Sequence, residues 1–319
     1  MRLGFAVKAL GEPGLKSHDA RRWQNRPHLS VSLAYLRDLF AYLQRAGIGM
    51  YRMSSDLAPY VTHPEMPQFH GQIEECAPEL AALGQTAREQ GLRLSFHPSQ
   101  YVVLNTPDDG LAARSAADIE TQASILEGMG LGSEAVVVLH VGGLYGDRGA
   151  AREWFARRFE GLLTPMAQRR LVLENDEKSF GLVDTYWIHQ RTGIRLVFDN
   201  LHHQNNPGDL PMGEALALAL STWPADQRPK AHFSSPRTEA RVVRQPDPAG
   251  GRPVDVLRPP LWTQHADFVN PFEFTSFLRQ VQGLRPFDVM LEIKAKDLAL
   301  LRLREDLLRW APDLAAQVS

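Results

Sequence analysis

Three short stretches of the sequence decide the fold class: AVVVLH at 135–140, LVLE at 171–174 and RLVFD at 195–199. Their content of β-branched residues and leucine favours buried strands, and each stretch ends in a histidine or a carboxylate. Amphipathic helical patterns at 151–169 and 182–191 fill the two intervals between them. Because strands that alternate with helices pair in parallel, this part of the chain predicts an α/β fold with a parallel sheet.

The same alternation continues on both sides of this region. Further strands are predicted at 2–7, 48–53, 92–97, 230–234 and 287–292, and further helices at 30–47 with Ser30 as N-cap, 78–90, 112–129, 212–221, 270–282 and 297–310. Eight strand–helix units favour a closed (β/α)8 TIM barrel over an open doubly wound sheet, since no G-x-G-x-x-G motif follows any strand. We expect one domain over 1–319, in which only a long loop at 235–266, rich in proline and arginine, breaks the alternation.

The composition excludes several classes of protein. The chain has 319 residues, of which 44% are hydrophobic and 23% charged, so it can build a large core. It has no long uncharged apolar run, so we expect no transmembrane span. Lys8 and Glu12 interrupt the N-terminal apolar stretch, so we expect no secretory signal there. The single Cys76 excludes a disulfide framework and a cysteine-type zinc site. We therefore expect a protein of the reducing cytoplasm.

Ionisable side chains stand at the carboxyl ends of the predicted strands. They are His97, His140, Glu174, Asp199 with His202 after it, Lys230 and His232 on one face of their strand, His265 and Asp267 in the next loop, and Glu292. In a parallel barrel all of these ends open onto one face, where barrel enzymes place their chemistry. The five histidines and the carboxylates Glu174, Asp199 and Glu292 exceed the ligands of one ion. We therefore expect a cluster of two or three divalent metals, with Glu174 as the bridge.

These ligand types leave the reaction open between two classes. Imidazole suits zinc, whereas the added carboxylates favour manganese or magnesium. Clustered divalent ions suit phosphodiester hydrolysis, because they provide hydroxide near neutral pH and neutralise charge at the attacking and leaving oxygens. They also suit the isomerisation of sugars.

Seven segments in chain order resemble the UV damage endonuclease family, also called UvdE or UvsE endonucleases. They are YRMSSDLAP at 51–59, SFHPSQYVVLNTP at 95–107, LENDEKSF at 173–180, FDNLHH at 198–203, KAHFSS at 230–235, HADFV at 265–269 and LEIKAKD at 291–297. HPSQY and FDNLHH are the more specific motifs. The resemblance implies a TIM barrel close to that of endonuclease IV, in agreement with the pattern of strands and helices.

The resemblance also implies an activity and a metal arrangement. The enzyme would nick damaged DNA immediately 5′ to cyclobutane dimers, 6-4 photoproducts and abasic sites by metal-hydroxide attack, leaving 3′-hydroxyl and 5′-phosphate ends. Three ions are implied, with manganese the most favoured and zinc or magnesium as alternatives. One would lie near His97, His140 and Glu174, a second would share Glu174 with Asp199, His232 and Glu292, and a third would take His202 and His265, with Asp267 as a further candidate.

Several other residues are candidates for further roles, some from their positions and some from the same resemblance. Lys230 would act in catalysis by contacting phosphate or after carbamylation, or would only cap the pocket. Gln100 and Tyr101 look like the pair that the family inserts into the duplex beside the extruded nucleotides. Phe5 stands where the family generally has a tyrosine. A phenylalanine can still stack on a lesion, but it lacks the hydroxyl and any hydrogen bond that the hydroxyl would form. Arg52 and Ser54, at the end of the second predicted strand, are candidate phosphate contacts.

Contact with DNA must come from local charge, because the net charge of the chain is only −2. Residues 1–28 contain six basic and two acidic residues, and residues 236–260 contain five basic and three acidic ones. Both segments are expected on the active face, where they favour binding to phosphate. The predicted partner is double-stranded DNA with UV or abasic lesions, bound by a monomer because the duplex must reach an open barrel face.

Two alternatives remain open at this point. A divalent-metal sugar isomerase of the xylose-isomerase type would share the barrel and the metal ligands, but would need neither basic flanks nor the Gln100–Tyr101 pair. In a non-catalytic protein that binds lesions, the metals would be structural, and the protein would bind damaged duplex without nicking it.

Overall fold

The central element is a closed barrel of eight parallel strands, seen in a computed structural model that describes residues 1–247 and 250–318. The described residues form strands β1 (Leu3–Ala6), β2 (Met50–Arg52), β3 (Arg93–Phe96), β4 (Val136–His140), β5 (Leu171–Glu174), β6 (Arg195–Asp199), β7 (Lys230–Phe233), β8 (Pro236–Arg237), β9 (Arg241–Gln245), β10 (Val254–Arg258), β11 (Leu261–His265) and β12 (Asp288–Leu291). Strands β1 to β7 pair in order around the barrel, and β12 closes it between β7 and β1. The predicted α/β TIM barrel is confirmed, with a strand in each of the eight predicted places.

Helices connect the strands and cover the outside of the barrel. They are α1 (Leu29–Arg45), α2 (Gln72–Glu75), α3 (Ala77–Glu89), α4 (Asp109–Gly128), α5 (Arg148–Leu162), α6 (Pro165–Arg170), α7 (Leu182–Thr192), α8 (Asn200–Asn205), α9 (Met212–Ser221), α10 (Pro271–Gln280), α11 (Lys296–Trp310) and α12 (Pro312–Ala315), with short 3-10 turns at Trp23–Asn25 and Pro67–Phe69. Within the described part of the chain, none of these helices has the length and apolarity needed to cross a membrane.

Two helix boundaries differ from the prediction. His28, not Ser30, is the N-cap of α1, because the His28 side chain accepts a hydrogen bond from the Ser30 amide. The helix predicted at 151–169 is divided into α5 and α6. The division arises because Thr164 caps α6 through the Ala167 amide and Pro165 takes a position in its first turn, where no amide hydrogen is needed.

Strand alternation divides the barrel side chains between two environments. In β4, Val137 and Leu139 pack in the large apolar core between barrel and helices, whereas Val136 and Val138 turn into the barrel interior, where they meet Val172, Val197 and Trp223. At both ends of this interior the inward side chains are charged and buried. The buried charged side chains of the barrel interior therefore lie at its two ends, on either side of an apolar middle.

The segment at 235–266 contains more regular structure than the predicted loop. Strands β9 and β10 form an antiparallel hairpin over five residue pairs, and β8 pairs with β11. The hairpin follows β7 and therefore projects from the carboxyl face of the barrel. Pro248 and Ala249 of the predicted loop, and Ser319 at the end of the predicted domain, lie outside the described residues.

Candidate metal centre

The register of neighbouring strands brings the predicted ligands into one layer at the carboxyl end of the barrel. His140 on β4 is opposite Glu174 on β5, and Asp199 on β6 is opposite His232 on β7. Because these residues close their strands at inward-facing positions, all four side chains point to the barrel axis. The layer is completed by His97, directly after β3, and Glu292, directly after β12.

A first group of possible ligands consists of His97, His140 and Glu174. The His97 Nε2 lies 3.1 Å from the Glu174 Oε2, and the His140 Nε2 lies 3.8 Å from the same oxygen. One ligand atom from each residue lies within 4.8 Å of the others, which is close enough for a common ion. This is the first of the groups that the family resemblance implied.

A second group consists of Glu174, Asp199, His232 and Glu292. The His232 Nδ1 is 3.0 Å from the Glu174 Oε1 and 3.2 Å from the Glu292 Oε1. All four residues are buried, and their ligand atoms also lie within 4.8 Å of one another. Glu174 thus belongs to both groups, with Oε2 in the first and Oε1 in the second. This is the arrangement expected of a carboxylate that bridges two ions.

The unsatisfied atoms of the cluster fit a divalent metal. Among the described residues, Asp199 Oδ2, His232 Nε2 and His140 Nδ1 are buried without a hydrogen-bond partner, a costly state for a polar atom. Burial, together with the charges of Glu174 and Glu292, raises the pKa of Asp199 to about 6. A cation at the cluster removes both penalties, since carboxylate oxygen and imidazole nitrogen are ligands that zinc and manganese accept.

The electrostatics of the cluster favour positive charge. Although burial opposes protonation, the carboxylates of Asp199 and Glu174 raise the pKa of His202 to about 11. Burial also opposes the ionised form of Glu174, but His232 and His140 hold its pKa well below the usual range. The Glu174 carboxylate therefore stays ionised when a cation or a protonated imidazole faces it.

The third predicted group is only partly assembled. The rings of His202 and His265 have centroids 6.3 Å apart. Asp267, which the sequence added as a candidate ligand, turns away, because its Oδ1 pairs with Arg241 at 2.8 Å. In its place Glu177 lies near the pair, with its Oε2 at 3.9 Å from the His202 Nε2. Glu177 is in the LENDEK motif, but no strand end marks it, so the strand-end pattern did not find it.

Asn175 is a second residue that the pattern missed. Its backbone carbonyl accepts a hydrogen bond from the His202 Nδ1 at 3.0 Å, which leaves Nε2 facing the site. Its side-chain amide joins β5 to β6, because it donates to the Asp199 carbonyl and accepts from the Asp199 amide. Asn175 therefore orients two predicted ligands, although it is not a ligand itself.

Lys230 lies inside the barrel below the cluster. Its Nζ donates to the Ser95 Oγ at 2.9 Å, and the side chain is almost completely buried. Burial, followed by the nearby charges of Arg52 and Arg93, holds the pKa of this lysine well below its usual range. A direct contact between Lys230 and a DNA phosphate at the surface is incompatible with this burial.

The candidate contacts at the first two strands differ from expectation. Phe5 has an exposed fraction of 0% and packs edge-on against Tyr51, because alternation with the inward Gly4 turns it toward the helices. Ser54 is also buried, and its hydroxyl accepts from the Asp56 amide. Neither side chain offers a surface to DNA in this structure. Arg52 does face the site, where it forms an ion pair with Glu292.

Gln100 and Tyr101 lie at the tip of the loop between β3 and α4. Both are exposed, and Tyr101 has an exposed fraction of 76%, which is unusual for a large ring. The two residues stand beside a cavity of about 440 Å³ that reaches His140 and Glu177. The loop therefore carries an exposed aromatic side chain at the edge of the site.

Comparison with known proteins identifies relatives in sequence. A family model described as UV-endonuclease UvdE matches residues 24–313. A UV DNA damage endonuclease of Bacillus velezensis is 31% identical over 285 residues, which cover 88% of this chain and 82% of that protein. Another, from Bacillus mycoides, is 32% identical over 258 residues, which cover 80% of this chain and 74% of that protein.

Solved structures agree with this relationship. The crystal structure of SacUVDE matches with a TM-score of 0.80 and 27% identity, and covers 97% of this chain and 98% of that chain. A 3-keto-D-glucoside 4-epimerase of E. coli, YcjR, covers 97% and 99% with a TM-score of 0.58, but at 10% identity the likeness shows the fold alone. The match over 24–313 includes every residue of the two ligand groups, and the chain belongs to the UV-endonuclease UvdE family.

Proposed function

We propose that this protein is a DNA-repair endonuclease that cuts the backbone immediately 5′ to UV photoproducts and abasic sites, leaving 3′-hydroxyl and 5′-phosphate ends. The observation that carries the proposal is Glu174, which joins two ligand groups on the open face of a barrel of the UvdE family. A carboxylate shared by adjacent ions is suited to phosphodiester hydrolysis, in which charge develops on both the attacking and the leaving oxygen.

The residues of the site are assigned separate roles, as metal ligands or as residues that orient a ligand. His97, His140 and Glu174 would hold one ion, and Glu174, Asp199, His232 and Glu292 a second; His202 and His265 would contribute to a third. Bound divalent ions, manganese in this proposal, supply a nucleophile near neutral pH and neutralise charge on the phosphate. Asn175 fixes the orientation of the His202 ring. Glu174 and Asp199 are buried, where the low dielectric strengthens their electrostatic attraction to a bound cation.

Lesion recognition is assigned to Gln100 and Tyr101. An exposed ring at a loop tip can enter a duplex and replace the stacking that is lost when damaged nucleotides leave the helix. DNA that is already distorted costs less to open, so selectivity for damage needs no contact that reads base sequence. The position of Tyr101 beside the cavity that reaches His140 supports this assignment.

The surface around the site supports a polyanionic partner. The loop after β1 carries Arg22 and Arg26, both exposed, on either side of the half-exposed Trp23. On the hairpin, Arg244 and Arg252 have no hydrogen bond or ion pair among the residues that the structure describes. Basic side chains of this kind position a duplex through its phosphates. We propose that a single copy of the chain binds double-stranded DNA across this face.

Lys230 is proposed to act in catalysis as a carbamate rather than as a phosphate contact. Its burial keeps it from the DNA, and its lowered pKa favours the neutral amine that reacts with carbon dioxide. Intact-protein mass spectrometry under gentle conditions tests this. We expect one added carboxyl group in the wild type and none in Lys230→Met; an unmodified wild type contradicts the carbamate.

The experiment that tests the proposed function is a nicking assay on a duplex with one site-specific thymine dimer, with manganese or EDTA. We expect one manganese-dependent cut immediately 5′ to the dimer and no cut in the undamaged control. Tight, selective binding without a cut would replace the proposal by a non-catalytic lesion-binding protein. A protein that neither binds nor cuts the damaged duplex would overturn the proposal. A panel of sugars would then test the isomerase alternative.

A further inference from the structure

Three cations, Lys8, Arg52 and Lys296, form a group at the edge of the metal centre that we call the cationic corner. Lys8 follows β1, Arg52 ends β2 and Lys296 begins α11, directly after the turn that follows β12. The Arg52 guanidinium pairs with Glu292, and Lys296 lies within electrostatic reach of Arg52, Glu292 and Lys8. The corner therefore adjoins the ligand layer through Glu292.

The positive charge of the corner exceeds the negative charge that faces it. Glu292 is already engaged by Arg52 and by His232. In the part of the chain that the structure describes, the ammonium groups of Lys8 and Lys296 form no hydrogen bond and no ion pair. Burial, and then the charges of Arg52 and Lys8, lower the pKa of Lys296. Like charges near one another repel, and an anion bound between them removes this repulsion.

The backbone holds the corner in place despite this repulsion. Asp297, next to Lys296, accepts hydrogen bonds from the amides of Leu10 at 2.7 Å and Gly11 at 2.9 Å and from the Tyr42 hydroxyl at 2.6 Å. These bonds attach the loop that carries Lys8 to the start of α11. The backbone positions from which Lys8 and Lys296 extend are therefore held together.

Two of the five non-glycine residues with a positive φ in the described part of the chain lie at the same place. Val7 has a φ of 65° and Lys296 a φ of 52°, both in the left-handed region that side chains avoid. The Val7 turn is fixed by its own amide, which donates to the Arg52 carbonyl, and by its carbonyl, which accepts from the Tyr51 hydroxyl. Such conformations cost roughly 1–3 kcal/mol each and persist mainly at functional sites.

An open cavity lies against the corner. Its volume is about 380 Å³, and Arg52, Lys296, His265 and Glu292 are among its lining residues. A tetrahedral anion can therefore reach Lys296 and Arg52 from the solvent. The same cavity continues to His265 and Glu292, so an anion bound there would be a close neighbour of one bound at the metal centre.

We propose that the cationic corner binds a backbone phosphate of the cut strand, next to the phosphate that lies at the metal centre. This inference rests on the proposed function. A DNA strand carries a phosphate at every nucleotide, so a strand with one phosphate at Glu174 and Glu292 brings a neighbouring phosphate to the rim beside Lys296. The contact sets the register of the strand on the metal centre and carries no sequence information.

The test compares the DNA affinity of Lys296→Gln, Lys296→Arg and a control, Arg302→Gln, in EDTA, where no cutting occurs. Arg302 lies on the same helix, is exposed and pairs with Asp306, so its loss removes one charge away from the site. We expect Lys296→Gln to weaken binding to damaged and undamaged duplexes by the same factor, about threefold to tenfold at 0.1 M salt. The slope of log Kd against log salt should fall by about one.

The charge-conserving Lys296→Arg should restore both the affinity and the salt slope, and Arg302→Gln should change neither. A Lys296→Gln variant that unfolds at the wild-type temperature but binds DNA with wild-type affinity and salt slope overturns the corner. A wild-type protein that does not bind DNA at all overturns the proposed function instead, so the two failures are distinguishable.

Discussion

Both ends of the barrel interior contain buried charged groups, but the chain satisfies them to different degrees. At the amino end, Asp288 accepts hydrogen bonds from the Arg93 Nη1 at 3.0 Å and from the Arg2 amide at 2.9 Å. At the carboxyl end, Asp199 Oδ2 and His232 Nε2 have no partner among the described residues. The two ends use the same strands, so the difference lies in the side chains and not in the backbone.

The amino end is closed by arginines. Arg170 donates to the carbonyls of Leu131 and Ala135, which precede β4. Trp223 packs between two guanidinium groups, that of Arg195 at 4.5 Å and that of Arg93 at 5.7 Å. Arg93 also has one nitrogen without a hydrogen bond, which this ring partly shields. Nearly every charge there has a partner from the chain itself, as expected of a structural layer.

The comparison teaches that buried charge is not by itself a sign of function. What separates the carboxyl end is an excess of acceptor atoms and imidazoles over the donors that the chain provides. Such an excess fits a cation bound from outside.

The largest effect is expected at the carboxyl end, from Glu174→Gln. Because both ligand groups lose their shared charge, we expect nicking to fall by at least about 1000-fold. The fold should persist, since the amino end is untouched. Nicking rates at saturating manganese, with circular dichroism as the check on folding, decide this. A rate near that of the wild type would remove Glu174 from the centre.

At the amino end, Asp288→Asn should act on stability instead. Arg93 would lose its charged partner while buried, a change that typically costs about 3–5 kcal/mol. Thermal unfolding measures the loss, and Asp306→Asn, which affects only the pair with Arg302 at the helix surface, is the matched control. If Asp288→Asn leaves the unfolding temperature unchanged but abolishes nicking, the assignment of the two ends is wrong.

Manganese should stabilise the protein through the carboxyl end alone. An ion at 100 times its Kd adds about 2.7 kcal/mol to the free energy of unfolding. We therefore expect manganese to raise the unfolding temperature of the wild type and of Asp288→Asn, but to raise that of Glu174→Gln much less. Equal shifts in all three proteins would show that manganese binds elsewhere.

The smallest effect is expected from Tyr101→Ala, because this ring lies on an exposed loop and belongs to neither end of the barrel interior. Loss of one stacking contact should reduce the preference for damaged over undamaged duplex by about 1–3 kcal/mol. Metal content and unfolding temperature should stay at wild-type values, with Tyr101→Phe as the control that keeps the ring. If Tyr101→Ala keeps the wild-type preference for damaged over undamaged duplex, Tyr101 has no role in lesion recognition and serves only in packing of the loop.

Most of the barrel was predictable, because the periodicity of apolar residues and the residues that end each strand can be read from short stretches of sequence. His140 and Glu174 meet because each closes a strand, which the sequence displays directly. Phe5 shows the limit: the resemblance placed it at the lesion, but in the structure alternation with the inward Gly4 turns its buried ring toward the helices.

Other features depend on contacts that no local pattern contains. The pairing of β9 with β10 arises across a turn, in a segment whose proline and arginine content suggested a loop. Glu177 and Asn175 follow β5 in an irregular turn, so their approach to His202 depends on the packing of α8. Asp267 was named as a ligand candidate from its place in sequence, but the strong pair with Arg241 decides its direction.

The central claim is that the carboxyl end of the barrel is a metal centre and the amino end is not. Anomalous diffraction from crystals soaked with manganese tests this most directly, since it locates ions independently of activity. We predict anomalous peaks between His97, His140 and Glu174 and between Glu174, Asp199, His232 and Glu292, and no peak near Asp288. Well-ordered crystals with no peak in the Glu174 layer at saturating manganese would contradict the account.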